Sequence, residues 1–122
     1  MLIGVPREIK NREYRVGLTP ASVRELVHHG HQVTVETEAG LGANFADADY
    51  ETAGAQIAPD AASVFAAAEM IVKVKEPQHE EFGLLREGQI LFTYLHLAAE
   101  REVTQALIDA GADAVKIGIG PG

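Results

Sequence analysis

Apolar and polar positions along the chain form two alternating patterns. Short runs rich in Val, Ile and Leu are separated by longer stretches in which apolar residues recur at helical spacing. This alternation predicts strands joined by helices, and therefore a mostly parallel sheet. The predicted strands are residues 2–5, 32–36, 70–74, 89–93 and 112–119.

Residues that start and end helices mark the segments between these strands. Thr19 and Pro20 are typical of an N-cap and a first helical position, and Gly30 is typical of a helix end. Further helices are predicted over 47–53, 60–68 and 100–110, with a short helical turn over 80–85 and a glycine-containing loop over 39–44. The expected fold is α/β, an open, mostly parallel, Rossmann-like sheet with helices on both faces.

The composition of the chain argues against several classes of function. The 122 residues suffice for one domain, and their net charge of −8 with scattered Lys and Arg argues against a nucleic-acid partner. The absence of Cys excludes disulfides, thiolate nucleophiles and Cys-ligated metals. No apolar run approaches the roughly 20 residues of a membrane span, so we expect a cytoplasmic domain with no membrane partner. Because no helix follows the last predicted strand, we also expect the domain to be truncated.

Basic and aromatic residues follow three of the predicted strands. Arg15 lies in the segment after the first strand, Lys75 directly follows the strand over 70–74, and Tyr94 and His96 follow the strand over 89–93. Ligands of open α/β sheets bind at the carboxyl ends of the strands, so these side chains are predicted to converge. Guanidinium and ammonium groups bind carboxylates, and imidazole transfers protons near neutral pH. The set therefore suits a small 2-oxo acid.

The residues alone leave other interpretations open. Arg15 and Lys75 could be solvated surface charges, His96 a satisfied core histidine and Tyr94 a packed aromatic. Glu8 could orient a basic neighbour or simply face water. The three histidines between residues 28 and 31 lack a full ligand set, so no metal site is predicted.

The chain ends in closely spaced glycines. Gly118, Gly120 and Gly122 do not match the G-x-G-x-x-G dinucleotide fingerprint, which needs a following helix. They are predicted to form either a phosphate loop or a flexible chain end.

Several segments resemble the alanine dehydrogenases. Residues 4–20, GVPREIKNREYRVGLTP, resemble the N-terminal signature of that family, and VKVKEP at 72–77 and LFTYLHLA at 91–98 follow in the family's order. The resemblance extends over residues 1–110. The nicotinamide nucleotide transhydrogenase alpha subunit is similar in the same region.

This resemblance implies an NAD-dependent enzyme that interconverts L-alanine with pyruvate and ammonia. It implies that Arg15 and Lys75 bind the substrate, that His96 is catalytic and that Tyr94 lies near the substrate. The family's NAD site lies in a separate domain, so no cofactor-binding residue is expected in this chain. Alone, the chain is expected to be inactive and to self-associate through exposed apolar surface.

The C-terminal segment carries a second resemblance. Residues 109–122 resemble a strand and glycine loop of inosine-monophosphate dehydrogenase, whose loop contributes to phosphate binding. The resulting hypothesis is a chimera with a foreign terminal strand. The competing interpretation of the whole chain is a non-catalytic α/β scaffold with a tail that resembles a phosphate loop.

Overall fold

The computed structural model describes residues 1–93, 101–111 and 114–117, which form one sheet flanked by helices. The strands are β1 Leu2–Val5, β2 Gln32–Glu36, β3 Gln56–Ala58, β4 Met70–Val72, β5 Ile90–Thr93 and β6 Ala114–Ile117. The helices are α1 Pro20–His28, α2 Asp47–Thr52, α3 Ala61–Ala67, α4 His79–Phe82 and α5 Arg101–Asp109, with a 3₁₀ helix at Leu41–Ala43.

The strand order places a crevice in the middle of the sheet. The order is β3-β2-β1-β4-β5-β6, and each pair of neighbours is parallel. The chain moves outward in one direction from β1 to β3 and then returns to build the other half from β4. The order therefore reverses between β1 and β4, where ligands of doubly wound sheets bind.

Side chains alternate between two apolar cores. Ile3 and Val5 of β1 belong to the core that also contains Val23 of α1 and Tyr50 of α2. The opposite core contains Phe65 of α3, together with buried side chains from β4, β5 and α5. Successive side chains of a strand point to opposite faces, so both faces of the sheet are covered by helices. The predicted α/β fold is confirmed.

The long connection between β1 and α1 lies across the ends of the central strands. The Tyr50 hydroxyl donates to the carbonyl of Leu18 at 2.8 Å, and Thr19 caps α1 by accepting from the Ser22 N–H. A Cβ on Gly17 would collide with the Val72 carbonyl oxygen, so only glycine lets the connection pass this close to β4. The loop that carries Arg15 is therefore held next to the crevice.

Several predicted element boundaries differ from the structure. The strand over 70–74 ends at Val72, because the Val74 N–H is donated to the Glu8 carboxylate and not to a neighbouring strand. The strand over 89–93 begins at Ile90, and the pattern missed β3, which has only three residues. Each predicted helix is present with its ends within three residues of the prediction, and the loop over 39–44 contains the 3₁₀ helix.

Some predicted features lie outside the described residues. Tyr94, His96 and the glycines at 118, 120 and 122 belong to this group, as do the ends of the strand predicted over 112–119. Within the part of the chain that is described, no helix is long and apolar enough to cross a membrane.

Candidate functional site

The buried carboxylate of Glu8 connects the segments that follow β1 and β4. Glu8 is 8% exposed, and its two oxygens accept from the backbone N–H groups of Val74 at 2.9 Å and Lys75 at 3.1 Å. Of the two interpretations left open for Glu8, the one in which it faces water is wrong, and Glu8 does contact a basic neighbour, Lys73. Because β1 and β4 flank the crevice, Glu8 fixes the two sides of the candidate site relative to each other.

Lys73 supplies the charge that stabilises Glu8 in this position. Its side chain is fully buried, and Nζ donates to Glu8 Oε1 at 3.3 Å. Nζ also lies 3.2 Å from Glu81 Oε2, an oxygen of a second buried carboxylate. Burial raises the pKa of Glu81, and the attraction of Lys73 only partly opposes this effect. Lys73 thus forms a buried, hydrogen-bonded ion pair with Glu8, and Glu81 is a second carboxylate in contact with the same ammonium.

Arg15 lies at the mouth of the crevice and is held by Glu13. Its Nε and Nη2 donate to the two Glu13 carboxylate oxygens at 2.9 and 2.8 Å, and its backbone N–H donates to the same carboxylate at 2.9 Å. The Glu13 side chain is 5% exposed, whereas that of Arg15 is 65% exposed. This bidentate contact fixes the plane of the guanidinium while much of its surface faces solvent.

Lys75 contacts the same carboxylate from the other side of the crevice. Its Nζ lies 4.0 Å from Glu13 Oε1, the oxygen that also accepts from Arg15 Nη2. The Lys75 backbone is held at both ends, because Glu8 accepts its N–H and the Thr93 hydroxyl donates to its carbonyl at 2.9 Å. The structure thus brings Arg15 and Lys75 together, within reach of one small carboxylate.

These two cations change the ionisation of Glu13. The hydrogen bond from the Arg15 side chain is the largest cause that lowers the pKa of Glu13 to about 2, with smaller contributions from the Arg15 backbone and the Lys75 charge. Burial opposes these effects. Glu13 is therefore ionised at neutral pH.

A cleft of about 280 Å³ opens beside Arg15. Its walls include Arg7, Glu8 and Glu13 from the β1–α1 connection, and Glu38 from the loop after β2. A larger groove of about 590 Å³ lies between α4 and α5, but it includes neither Arg15 nor Lys75. The smaller cleft is the candidate site, because it is lined by Arg15 and by Glu13, whose carboxylate also lies 4.0 Å from Lys75 Nζ.

The residues after β1 do not fit a dinucleotide. A diphosphate at this position needs a glycine-rich turn with open N–H groups. Here Pro6, Arg7 and Glu8 follow the strand, and the Arg7 N–H is donated to Glu36 at 2.9 Å. Since the buried Glu8 carboxylate would repel a phosphate, we assign no NAD contact to this crevice.

The remaining predicted site residues lie beyond β5 and β6. Tyr94, His96, Gly118, Gly120 and Gly122 are outside the described residues, so their roles stay predictions. Across residues 1–93, 101–111 and 114–117, no three His, Asp or Glu side chains are grouped to hold a metal ion.

Comparisons with known proteins agree with the fold and the motifs. The family model "Alanine dehydrogenase/PNT, N-terminal domain" matches residues 4–118. The chain belongs to this family. Alanine dehydrogenase of Halomonas elongata is 57% identical over 115 residues, and that of Bacillus subtilis is 56% identical over 115 residues. Each alignment covers 94% of this chain, but only 31% and 30% of the respective relative.

Solved structures of related proteins also match the fold of this chain. An L-alanine dehydrogenase structure matches with a TM-score of 0.92 and 57% identity, over 95% of this chain and 32% of the other. A transhydrogenase from Sinorhizobium meliloti matches with a TM-score of 0.86 and 31% identity, over 93% of this chain and 34% of the other. The family's N-terminal domain therefore has this fold in both dehydrogenases and transhydrogenases.

The chimera hypothesis is not supported by these findings. The alanine dehydrogenase/PNT model extends through residue 118, well into the segment that resembled inosine-monophosphate dehydrogenase. In addition, Ala114–Ile117 pairs in parallel register with Ile90–Thr93 as the edge strand of the sheet.

The sequence analysis missed Glu13 and Lys73 as functional positions. Glu13 carries a weak signal, as the one acidic residue among the basic residues between Lys10 and Arg15. Lys73 interrupts an apolar strand pattern, and a charged residue at such a position is buried only when it is paired.

We predict that Lys73→Met will strongly destabilise this alanine dehydrogenase/PNT domain. The substitution leaves the Glu8 carboxylate buried without its cation, which typically costs about 3–5 kcal/mol. Urea unfolding measures the loss, and Arg24→Met on the exposed face of α1 is the control, with an expected change below about 0.5 kcal/mol. A loss below about 1 kcal/mol for Lys73→Met would contradict the assigned ion pair.

We also predict that Arg15→Gln will raise the pKa of Glu13 from about 2 towards its ordinary value of 4.5. Carbon NMR of the Glu13 carboxyl group measures this change, and Lys75→Gln should produce a smaller rise. Because the folded-state pKa is lowered, the stabilisation from Glu13 is present above about pH 4.5 and is lost as the pH falls towards 2. Titration of wild-type Glu13 near 4.5 would rule out the bidentate contact.

Proposed function

We propose that this chain is the substrate-binding domain of an NAD-dependent L-alanine dehydrogenase. The observation that carries the proposal is the contact of Arg15 and Lys75 with one carboxylate oxygen of Glu13. The two basic residues thus already form a site for a carboxylate. Membership of the alanine dehydrogenase/PNT family supports pyruvate and L-alanine as the ligands.

In this proposal, Arg15 and Lys75 hold the ligand's carboxylate through charge-assisted hydrogen bonds. The exposed guanidinium of Arg15 suits bidentate binding, and the ammonium of Lys75 provides a second positive charge. Glu8 and Thr93 support this role, because they fix the Lys75 backbone before any ligand arrives. A ligand then pays little of the entropy needed to order the site.

The chemical step needs groups beyond these two cations. His96 is proposed as the general acid and base at the ligand's carbonyl oxygen, and Tyr94 as a neighbour of the ligand, both from the family motif. The chain spans about 31% of the length of the relatives it matches. NAD supplies the hydride chemistry, and we assign its binding to the remainder of the full-length enzyme.

We predict that pyruvate binds this chain and shifts NMR signals near Arg15 and Lys75. Arg15→Met or Lys75→Met should each raise the Kd for pyruvate by about 10- to 100-fold, as expected for the loss of hydrogen bonds to a charged group. Arg24→Met, which removes an equal charge from α1, should leave the Kd unchanged. Equal losses from all three substitutions would indicate nonspecific charge attraction and contradict the proposal.

Self-association remains a prediction. Phe92 of β5 and Ile108 of α5 are large apolar side chains that are 41% and 66% exposed. Such surface favours contact between copies of the chain. Sedimentation equilibrium should show oligomers that increase with concentration, whereas a monomer at every concentration would refute the prediction.

A further inference from the structure

The segment after β1 contacts the segment after β4 at three successive points. At the first, Glu8 accepts from the Lys75 N–H at 3.1 Å. At the second, Lys10 Nζ donates to Glu76 Oε1. At the third, Glu13 Oε1 lies 4.0 Å from Lys75 Nζ. Along the β1–α1 connection, the ion pair of Lys10 and Glu76 therefore lies between the two contacts that define the carboxylate site.

Glu76 depends on Lys10 for its charge. Its side chain is 4% exposed, whereas that of Lys10 is 36% exposed. Its other oxygen, Oε2, has no hydrogen-bond partner among the described residues. Burial raises the pKa of Glu76, but the hydrogen bond from Lys10, a backbone hydrogen bond and the charges of Lys10 and Lys75 together lower it below the ordinary value. Glu76 is therefore ionised at neutral pH, and the loss of Lys10 would leave a buried charge unpaired.

The Lys10 end of the ion pair leads directly to Arg15. The Lys10 carbonyl accepts the Glu13 N–H at 3.1 Å and closes a turn, in which Arg12 adopts a left-handed backbone with φ of 64°. The Glu13 carboxylate at the end of this turn accepts two hydrogen bonds from the Arg15 side chain. A displacement of Lys10 would therefore move the turn, Glu13 and Arg15 together.

The Glu76 end of the ion pair is fixed beside Lys75. Glu76 directly follows Lys75 and precedes Pro77, which is fully buried and restricts the backbone. Gln78 Nε2 donates to the Glu76 carbonyl at 2.7 Å. Glu76 is therefore an anchor of fixed position, to which Lys10 attaches its turn.

We propose that Lys10 and Glu76 are positioning residues of the carboxylate site, whose ion pair holds Arg15 at the spacing from Lys75 that lets both cations bind one small carboxylate. The inference rests on the proposed function and adds what sets the spacing of the two binding groups. Neither Lys10 nor Glu76 lines the cleft beside Arg15, so both act through Arg15 and Lys75.

The test replaces the ion pair by an uncharged pair, Lys10→Met/Glu76→Gln. Lys10→Met alone leaves the buried Glu76 without its cation, so both the stability and the affinity for pyruvate should fall. The uncharged pair keeps the net charge and should recover most of the lost stability, as measured by urea unfolding. Because Met and Gln cannot hold the turn, the Kd for pyruvate from NMR titration should stay about tenfold above the wild-type value. If the pair were merely structural, the Kd would recover together with the stability.

Glu76→Gln alone separates positioning from charge. This variant leaves only the half-exposed Lys10 without a partner, which water can solvate, so it should fold even if the other variants do not. It removes a negative charge near the site, and charge alone would therefore strengthen the binding of an anion. Positioning predicts the opposite, a raised Kd for pyruvate.

Two controls match these variants. Lys10→Arg keeps a positively charged donor opposite Glu76 and should keep the Kd near the wild-type value. Arg24→Met/Glu25→Gln removes one positive and one negative charge from exposed positions on α1 and should leave the Kd unchanged.

A second measurement of spacing needs no ligand. The charge of Lys75 contributes to the lowered pKa of Glu13, so Lys75→Gln should raise that pKa in the wild-type background. In the uncharged pair, Lys75 Nζ is no longer held 4.0 Å from Glu13, and the same substitution should produce a smaller rise. Carbon NMR of the Glu13 carboxyl group measures both values, and equal rises in the two backgrounds would overturn the positioning role.

The outcomes distinguish this inference from the proposed function. If the wild-type chain binds no pyruvate but the rise of the Glu13 pKa shrinks in the uncharged pair, the proposed function fails although the ion pair still sets the spacing of the two cations. If pyruvate binds and its Kd returns to the wild-type value in the uncharged pair, the positioning role is overturned while the carboxylate site stands. A raised Kd in both Glu76→Gln and the uncharged pair supports the inference.

Discussion

The buried carboxylate of Glu8 is the constraint on which the rest of the candidate site depends. A carboxylate can leave water only when donors and a cation replace its hydration. Lys73 provides the cation, and the N–H groups of Val74 and Lys75 provide two donors. These contacts end β4 at Val72 and join the segments that follow β1 and β4. Arg15 and Lys75, which lie on those two segments, can then contact the same carboxylate of Glu13.

The proposed ligand differs from the dinucleotides that doubly wound sheets commonly bind. Sheets with this strand order commonly bind the phosphates of a dinucleotide with backbone N–H groups at the crevice. Here the buried Glu8 carboxylate accepts the N–H groups of Val74 and Lys75, which are therefore not open to a phosphate. The positive charge at the crevice comes instead from the side chains of Arg15 and Lys75. Side-chain cations suit a small carboxylate, because it needs only one or two charge-assisted contacts. The strand order thus determines where the crevice lies, whereas the side chains of the loops determine which ligand chemistry is possible there.

Local patterns predicted the parts of the structure that depend on local interactions. The bounds of β1 and β2 match their apolar runs, and Thr19 caps α1 as expected. Arg15 and Lys75 could be selected because strand ends in a parallel sheet meet at one edge. The end of β4 could not be predicted, since it depends on a hydrogen bond between Glu8 and Val74, which are 66 positions apart. Glu13 was missed for a related reason, because its role depends on burial between two cations from different loops.

A crystal structure of this chain with pyruvate tests the central claim most directly. The account predicts that the pyruvate carboxylate contacts Arg15 and Lys75, with Glu8 still bonded to Val74 and Lys75 and with Glu13 still bonded to Arg15. Pyruvate bound away from Arg15 and Lys75, or bound only after Glu13 has left the guanidinium, would contradict it.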